Sequence, residues 1–168
     1  MDSKNKTLSG SILFVGSIVY LLGTVTGEKF GNMSLYNTSI VLLGIIVLIS
    51  IYFIQNAFKS PIFSGLLAVA GIGTIGVGLL NYASTEYYVF AGLGYVFFGL
   101  SAIMSYRYEK APLSYLSIIL GAAAFIALGL WAGKVDLGSG MTVTPIIIDT
   151  LILLWLAGFS ANIIGEKT

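Results

Sequence analysis

Pro61–Thr85 reads PIFSGLLAVAGIGTIGVGLLNYAST, twenty-five residues without a formal charge. A helix of roughly 20 apolar residues crosses a bilayer core, so this stretch alone points to a membrane span. Four more stretches are equally free of charge: Thr7–Gly27, Phe30–Phe58, Tyr87–Tyr106 and Ala111–Gly133. A sixth, Thr144–Gly165, carries one acid, Asp149. The runs are continuous and do not alternate over ten residues, which favours helices over barrel strands. The expected spans are Leu8–Thr26, Thr38–Ala57, Pro61–Tyr82, Tyr87–Tyr106, Ala111–Trp131 and Thr144–Ile164. The fold class expected is therefore all-α, a single polytopic bundle of six transmembrane helices over residues 1–168.

Composition agrees. Hydrophobic residues make up 57% of the chain and charged residues 9%, where soluble domains carry about 25% charged residues. A net charge of +1 gives no reason to expect nucleic acid. The chain has neither cysteine nor histidine. Disulfides, thiolate-held clusters, Cys/His zinc sites and a Ser-His-Asp triad are thereby excluded within it. No catalytic motif stands out, and no cofactor or metal is expected. Lys4 and Lys6 before Leu8–Leu22 imitate a signal peptide, but no A-x-A-like cleavage site follows. The segment is read as the first span.

Lys and Arg in short loops orient a membrane protein. With the N-terminus inside, the inner segments hold six basic residues: Lys4, Lys6, Lys59, Arg107, Lys110 and Lys167. The outer ones hold only Lys29 and Lys134. Both termini are expected in the cytoplasm, and the protein in the cytoplasmic membrane. Tyr36, Tyr82, Tyr87, Tyr88 and Trp131 then fall near the outer interface, and Tyr52, Tyr106 and Tyr108 near the inner one, as an aromatic belt would. Gly27–Asn37 and Ala132–Val143 are expected as the two longer outer loops. Asn32-Met33-Ser34 and Asn37-Thr38-Ser39 match the glycosylation acceptor pattern there. The segment Arg107-Tyr108-Glu109-Lys110 reads as a positive-inside anchor.

Small residues recur at helical spacing. Ser64, Ala68, Gly71, Thr74 and Gly78 share one face, and Ser114, Ser117, Gly121 and Ala124 another. Gly16, Gly23 and Gly27 do likewise in the first span. Such faces let helix backbones approach closely in lipid. A tight bundle is the plainer reading, and a small-walled channel the alternative.

Asp149 is the candidate intramembrane functional acid. It lies about one and a half turns into the last span, after Thr144 and Pro145, which read as an N-cap and N1 pair. An ionisable group inside a membrane is a functional hypothesis by default. It would hold a proton, a cation or a cationic head group. The alternative is an acid that reaches the outer interface or bonds to a neighbouring helix. Its place near the outer end favours an outward-facing site, or none, over a buried proton relay. Asn81, Glu86 and Tyr87 form a candidate polar cluster on the same face. Glu86 would stand near Asp149 at the mouth of a site; otherwise this is an interfacial turn with Ser84 or Thr85 capping the next helix. Ser160 shares a face with Asp149 but is too distant to be its partner.

Three features carry a resemblance. These are Asn37 with the following Leu42, the run Gly71-Ile72-Gly73-Thr74-Ile75-Gly76-Val77-Gly78-Leu79-Leu80, and Trp155. On them the chain resembles a family of small six-span membrane proteins, mostly archaeal and bacterial, known as domain of unknown function 998. The resemblance covers nearly the whole length and implies architecture without an activity. The chain departs from the family pattern in three places. Thr38–Gly44 lacks the acid often found there, Tyr87 and Tyr88 stand where a histidine is common, and an acidic–arginine pair before the last span is absent.

The function expected first is non-enzymatic, a small membrane subunit or lipid-interacting scaffold. Its partners would be membrane lipids, with a membrane-protein partner or a second copy of the chain. The alternative is a small transporter or permeation pathway using Asp149, which requires a cavity reaching that acid. A lipid-modifying membrane enzyme comes third.

Overall fold

The computed structural model describes residues 3–30, 33–80, 84–133 and 143–165. Six helices account for nearly all of them: α1 (Ser3–Phe30), α2 (Met33–Phe58), α3 (Pro61–Leu79), α4 (Thr85–Ser105), α5 (Leu113–Ala132) and α6 (Val143–Gly165). All six are long and apolar enough to cross a membrane. A single 3₁₀ turn, Tyr106–Tyr108, extends α4.

The helix starts follow local chemistry. Ser60 caps α3, its hydroxyl accepting from the Phe63 amide at 3.4 Å, with Pro61 in the first turn. Ser84 caps α4 in the same way, accepting from the Tyr87 amide at 3.2 Å. Each hydroxyl satisfies one of the amides that a helix start leaves open. Two expectations are corrected. Helix α1 runs on to Phe30 and α2 already begins at Met33, so most of the expected loop Gly27–Asn37 is helical. Helix α6 begins at Val143, one residue before the expected Thr144 cap, which makes Thr144 and Pro145 its second and third residues.

Each helix packs on its neighbours in sequence, and α6 returns to pack on α1. The six form a closed ring, with α4 also touching α6 across it. Contacts along each seam run antiparallel. Gly78 lies against Val41 and the Asn37 carbonyl, while Gly71 lies against Leu48 and Gly44. At the far end of that seam the Ser64 hydroxyl donates to Gln55 Oε1 at 2.7 Å. The small faces are thus used inside the bundle. At Gly73 a methyl group would run into the Gly94 amide and lie 2.8 Å from its Cα, so α3 and α4 touch backbone to backbone. That closeness supplies the dispersion contacts on which helix association in lipid relies.

Large aliphatics point outward: Ile126 is 68% exposed and Ile119 62%. Serines point inward, and Ser9, Ser50, Ser101, Ser105 and Ser160 are fully buried. Most return their proton to a carbonyl of their own helix, as Ser17 does to Leu13 (3.0 Å), Ser50 to Val47 (2.6 Å) and Ser160 to Leu156 (2.6 Å). The hydroxyl is then satisfied without a partner from another helix, and its small volume allows close packing.

The ring is filled differently at its two ends. Toward Lys6 and Lys59, aromatic rings close it. Trp155 stacks on Phe159 (5.8 Å), which meets Phe63 (5.6 Å) and Phe58 (6.2 Å). Tyr108 packs on both Phe58 and Phe63, and the Lys6 ammonium sits 5.3 Å from the Phe58 ring centre. The opposite end is less tightly filled and contains Asp149.

Candidate functional site: an acid in a tyrosine-lined cavity

Asp149 is the seventh residue of α6, about 9 Å along the axis from its start at 1.5 Å per residue. Ile148 beside it is fully buried, and Ile152 one turn on is buried too. This register turns Asp149 toward the ring interior. It borders a cavity of about 30 Å³, measured over the positions that a water centre can take. That is room for about one or two waters.

Three tyrosines from three other helices converge on the acid. The Tyr36 hydroxyl of α2 lies 3.5 Å from Asp149 Oδ2. Tyr20 of α1 and Tyr95 of α4 border the same cavity, near enough to the carboxylate to interact with it electrostatically. All three line the cavity. Phenol hydroxyls donate to a carboxylate, so they supply some of the bonds that water would otherwise make. Tyr95 is held from behind by the edge of Trp131, ring centres 6.0 Å apart, and Trp131 leans on Tyr88 at 5.7 Å. The remaining walls are mostly aliphatic, from Ile40, Leu43, Val77 and Ala91. Thr74 also borders the cavity, with its hydroxyl donating to the Ala70 carbonyl at 2.9 Å. Phe98 and Ile152 form the wall facing the aromatic end.

The other candidates fall elsewhere. Glu86 is exposed and does not line the cavity. Tyr87 is buried, its ring meeting Tyr88 edge-on at 5.6 Å, and is also absent from the cavity wall. Asn81 lies outside the described residues, as does the acceptor Asn32. Ser160 is buried and bonded to Leu156. Tyr20 and Tyr95 were not singled out from the sequence, and Tyr36 was assigned to the interface. A signal for the first two was present. Both fall well inside their spans, away from the headgroup level where tyrosines usually sit, and a tyrosine hydroxyl there needs a polar partner. Asp149 is the acid on the cavity wall that both tyrosines share.

Among the described residues no three of the His, Cys, Asp and Glu side chains cluster as a metal site would require. The fold and the cavity together define a six-helix polytopic membrane protein with an acid inside its bundle. No family model, no curated protein and no solved structure matches the chain. The resemblance drawn from its glycine run therefore identifies no family.

Proposed function

We propose that this protein reversibly binds a proton at Asp149 and works as a small transporter or permeation pathway. The observation that carries the reading is the cavity that reaches the acid. A dry, fully packed bundle would have favoured the scaffold reading. So would small-residue faces turned outward, but those faces meet neighbouring helices of the same chain.

Size and donor set support a proton over larger cargo. A cavity for about one or two waters is far below the 300–1,000 Å³ of ordinary ligand pockets. A hard metal cation takes about six oxygens or more. The wall offers one carboxylate, three phenol hydroxyls and a threonine hydroxyl already bonded to Ala70. In the orientation we propose, with both termini in the cytoplasm of a cytoplasmic membrane, the cavity lies in the outer half.

The test is infrared difference spectroscopy of the purified protein across a pH titration. A protonated-carboxyl band should appear on acidification, lose one component in Asp149→Asn, and be unchanged by replacing sodium with potassium. Asp149→Asn should still purify as a folded protein. A spectrum identical in the wild type and Asp149→Asn would remove the proposal.

A further inference from the structure

A second acid occupies the opposite end of the same bundle. Glu109 follows the 3₁₀ turn after α4, and its carboxylate is drawn inward. Its Oε2 accepts from the Ser117 hydroxyl of α5 at 2.6 Å. Its Oε1 lies 3.2 Å from the Ser105 hydroxyl of α4, which also donates to the Ala102 carbonyl at 2.7 Å. The Trp155 indole of α6 donates to that same Ser105 oxygen at 3.0 Å. One carboxyl thus links three helices.

This network accepts a proton without rearrangement. With Glu109 ionised, Ser105 must divide one proton between two acceptors. With Glu109 protonated on Oε1, the acid donates to Ser105 instead. Ser105 then accepts from Trp155 and Glu109 and donates only to Ala102, so every partner is satisfied. Burial already raises the Glu109 carboxyl above its ordinary value, and the Ser117 and Ser105 hydroxyls offset part of that rise. The charged neighbours Arg107 and Lys110 are exposed, as is Tyr115 on α5. From α6 the groups at this end are Trp155 and Asn162, whose amide reaches the Lys110 carbonyl at 3.5 Å, and neither ionises.

A seam joins the two acids. A second hollow lies between α4, α5 and α6, and it shares the Phe98 and Ile152 wall with the Asp149 cavity. Trp155, the donor to Ser105, lines its other side. This hollow is too narrow for a water. The order along the molecule is acid, water-sized cavity, apolar constriction, indole, serine, acid.

We propose that Glu109 is a second protonation station, and that protons pass between it and Asp149 along the seam of α4 and α6. This rests on the reading of Asp149 given above. The Asp149 carboxyl releases its proton to cavity water. Displacement of the Phe98 side chain admits water to the constriction, and the Glu109 carboxylate takes the proton and releases it at the basic end. No electron moves, and one positive charge crosses per proton. The constriction is closed in this structure, which makes it the gate.

The experiment uses the full chain in phosphatidylcholine–phosphatidylglycerol vesicles with a pH-sensitive dye trapped inside and a potassium diffusion potential as driving force. Wild type should carry protons. Glu109→Gln should slow the flux by about a hundredfold, the scale expected when a positioned proton-transfer group is lost, while Glu109→Asp keeps part of it. Ser117→Ala retains the carboxyl but removes its shortest bond, and should move the half-maximal pH of flux upward. Wild-type flux in Glu109→Gln overturns the proposal. If that variant fails to fold, an unmoved pH profile in Ser117→Ala overturns it. Absent flux in a wild type whose Asp149 band still titrates overturns the route and leaves the Asp149 reading standing. Absence of that band in the wild type removes the Asp149 reading itself.

Discussion

At Glu109 a single side chain couples protonation to the stability of the bundle. Its carboxyl is raised by burial, so the folded protein favours the protonated form more than the unfolded chain does. That contribution is fully present below the ordinary carboxyl value of 4.5 and is lost as pH rises through the raised folded value. Melting temperature in detergent should therefore fall over that interval in the wild type. Glu109→Gln, which cannot ionise, should lose this component of the fall. A wild-type and variant difference that stays constant with pH would count against the coupling. Asp149 and Glu109 also differ in how far they could be read from the sequence. Asp149 stood out because it interrupts an apolar run. Glu109 sits among Arg107, Tyr108 and Lys110, where a solvated anchor is the ordinary reading, and the hydroxyls of Ser105 four residues before and Ser117 eight residues later turn it inward. The tyrosines around Asp149 come from helices far apart in sequence, and ring closure between α6 and α1, which no local pattern encodes, is what brings them together.

Among the helices, α3 is where the sequence was most informative about packing. Of its expected face of Ser64, Ala68, Gly71, Thr74 and Gly78, Ser64, Gly71 and Gly78 meet α2 and Thr74 borders the cavity, while Ala68 is half-buried. Gly73 lies off that face and contacts α4, which the spacing argument did not assign. The contrast gives a paired prediction. Gly73→Ala would push a methyl into the Gly94 backbone, and overpacking of this kind costs about 1–3 kcal/mol. Gly92→Ala places its methyl in open space and should be neutral or stabilising by up to about 1 kcal/mol, from helix propensity. Thermal unfolding in one detergent would measure both, and equal losses would show that the α3–α4 contact is not specific. The helix ends were less legible. Charge-free runs locate the apolar part of each span, but α1 continues through Thr26 toward Phe30 because backbone bonding does not stop where the membrane does.

For the molecule as a whole, the absence of cysteine is an experimental convenience. Single cysteines introduced at exposed positions report sidedness without background. Glu86→Cys should react with an impermeant thiol reagent from outside intact cells, and Lys110→Cys only after the membrane is opened. The reverse pattern would invert the topology. The closed ring has a consequence for synthesis. Helices α1, α2 and α4, which carry Tyr20, Tyr36 and Tyr95, leave the ribosome before α6. A carboxylate entering lipid alone is costly, but this one arrives when the tyrosines that line its cavity have already been made. The insertion of Asp149 can therefore be assisted by its own chain, and a protein truncated before α6 would leave the tyrosine-lined groove open to the membrane.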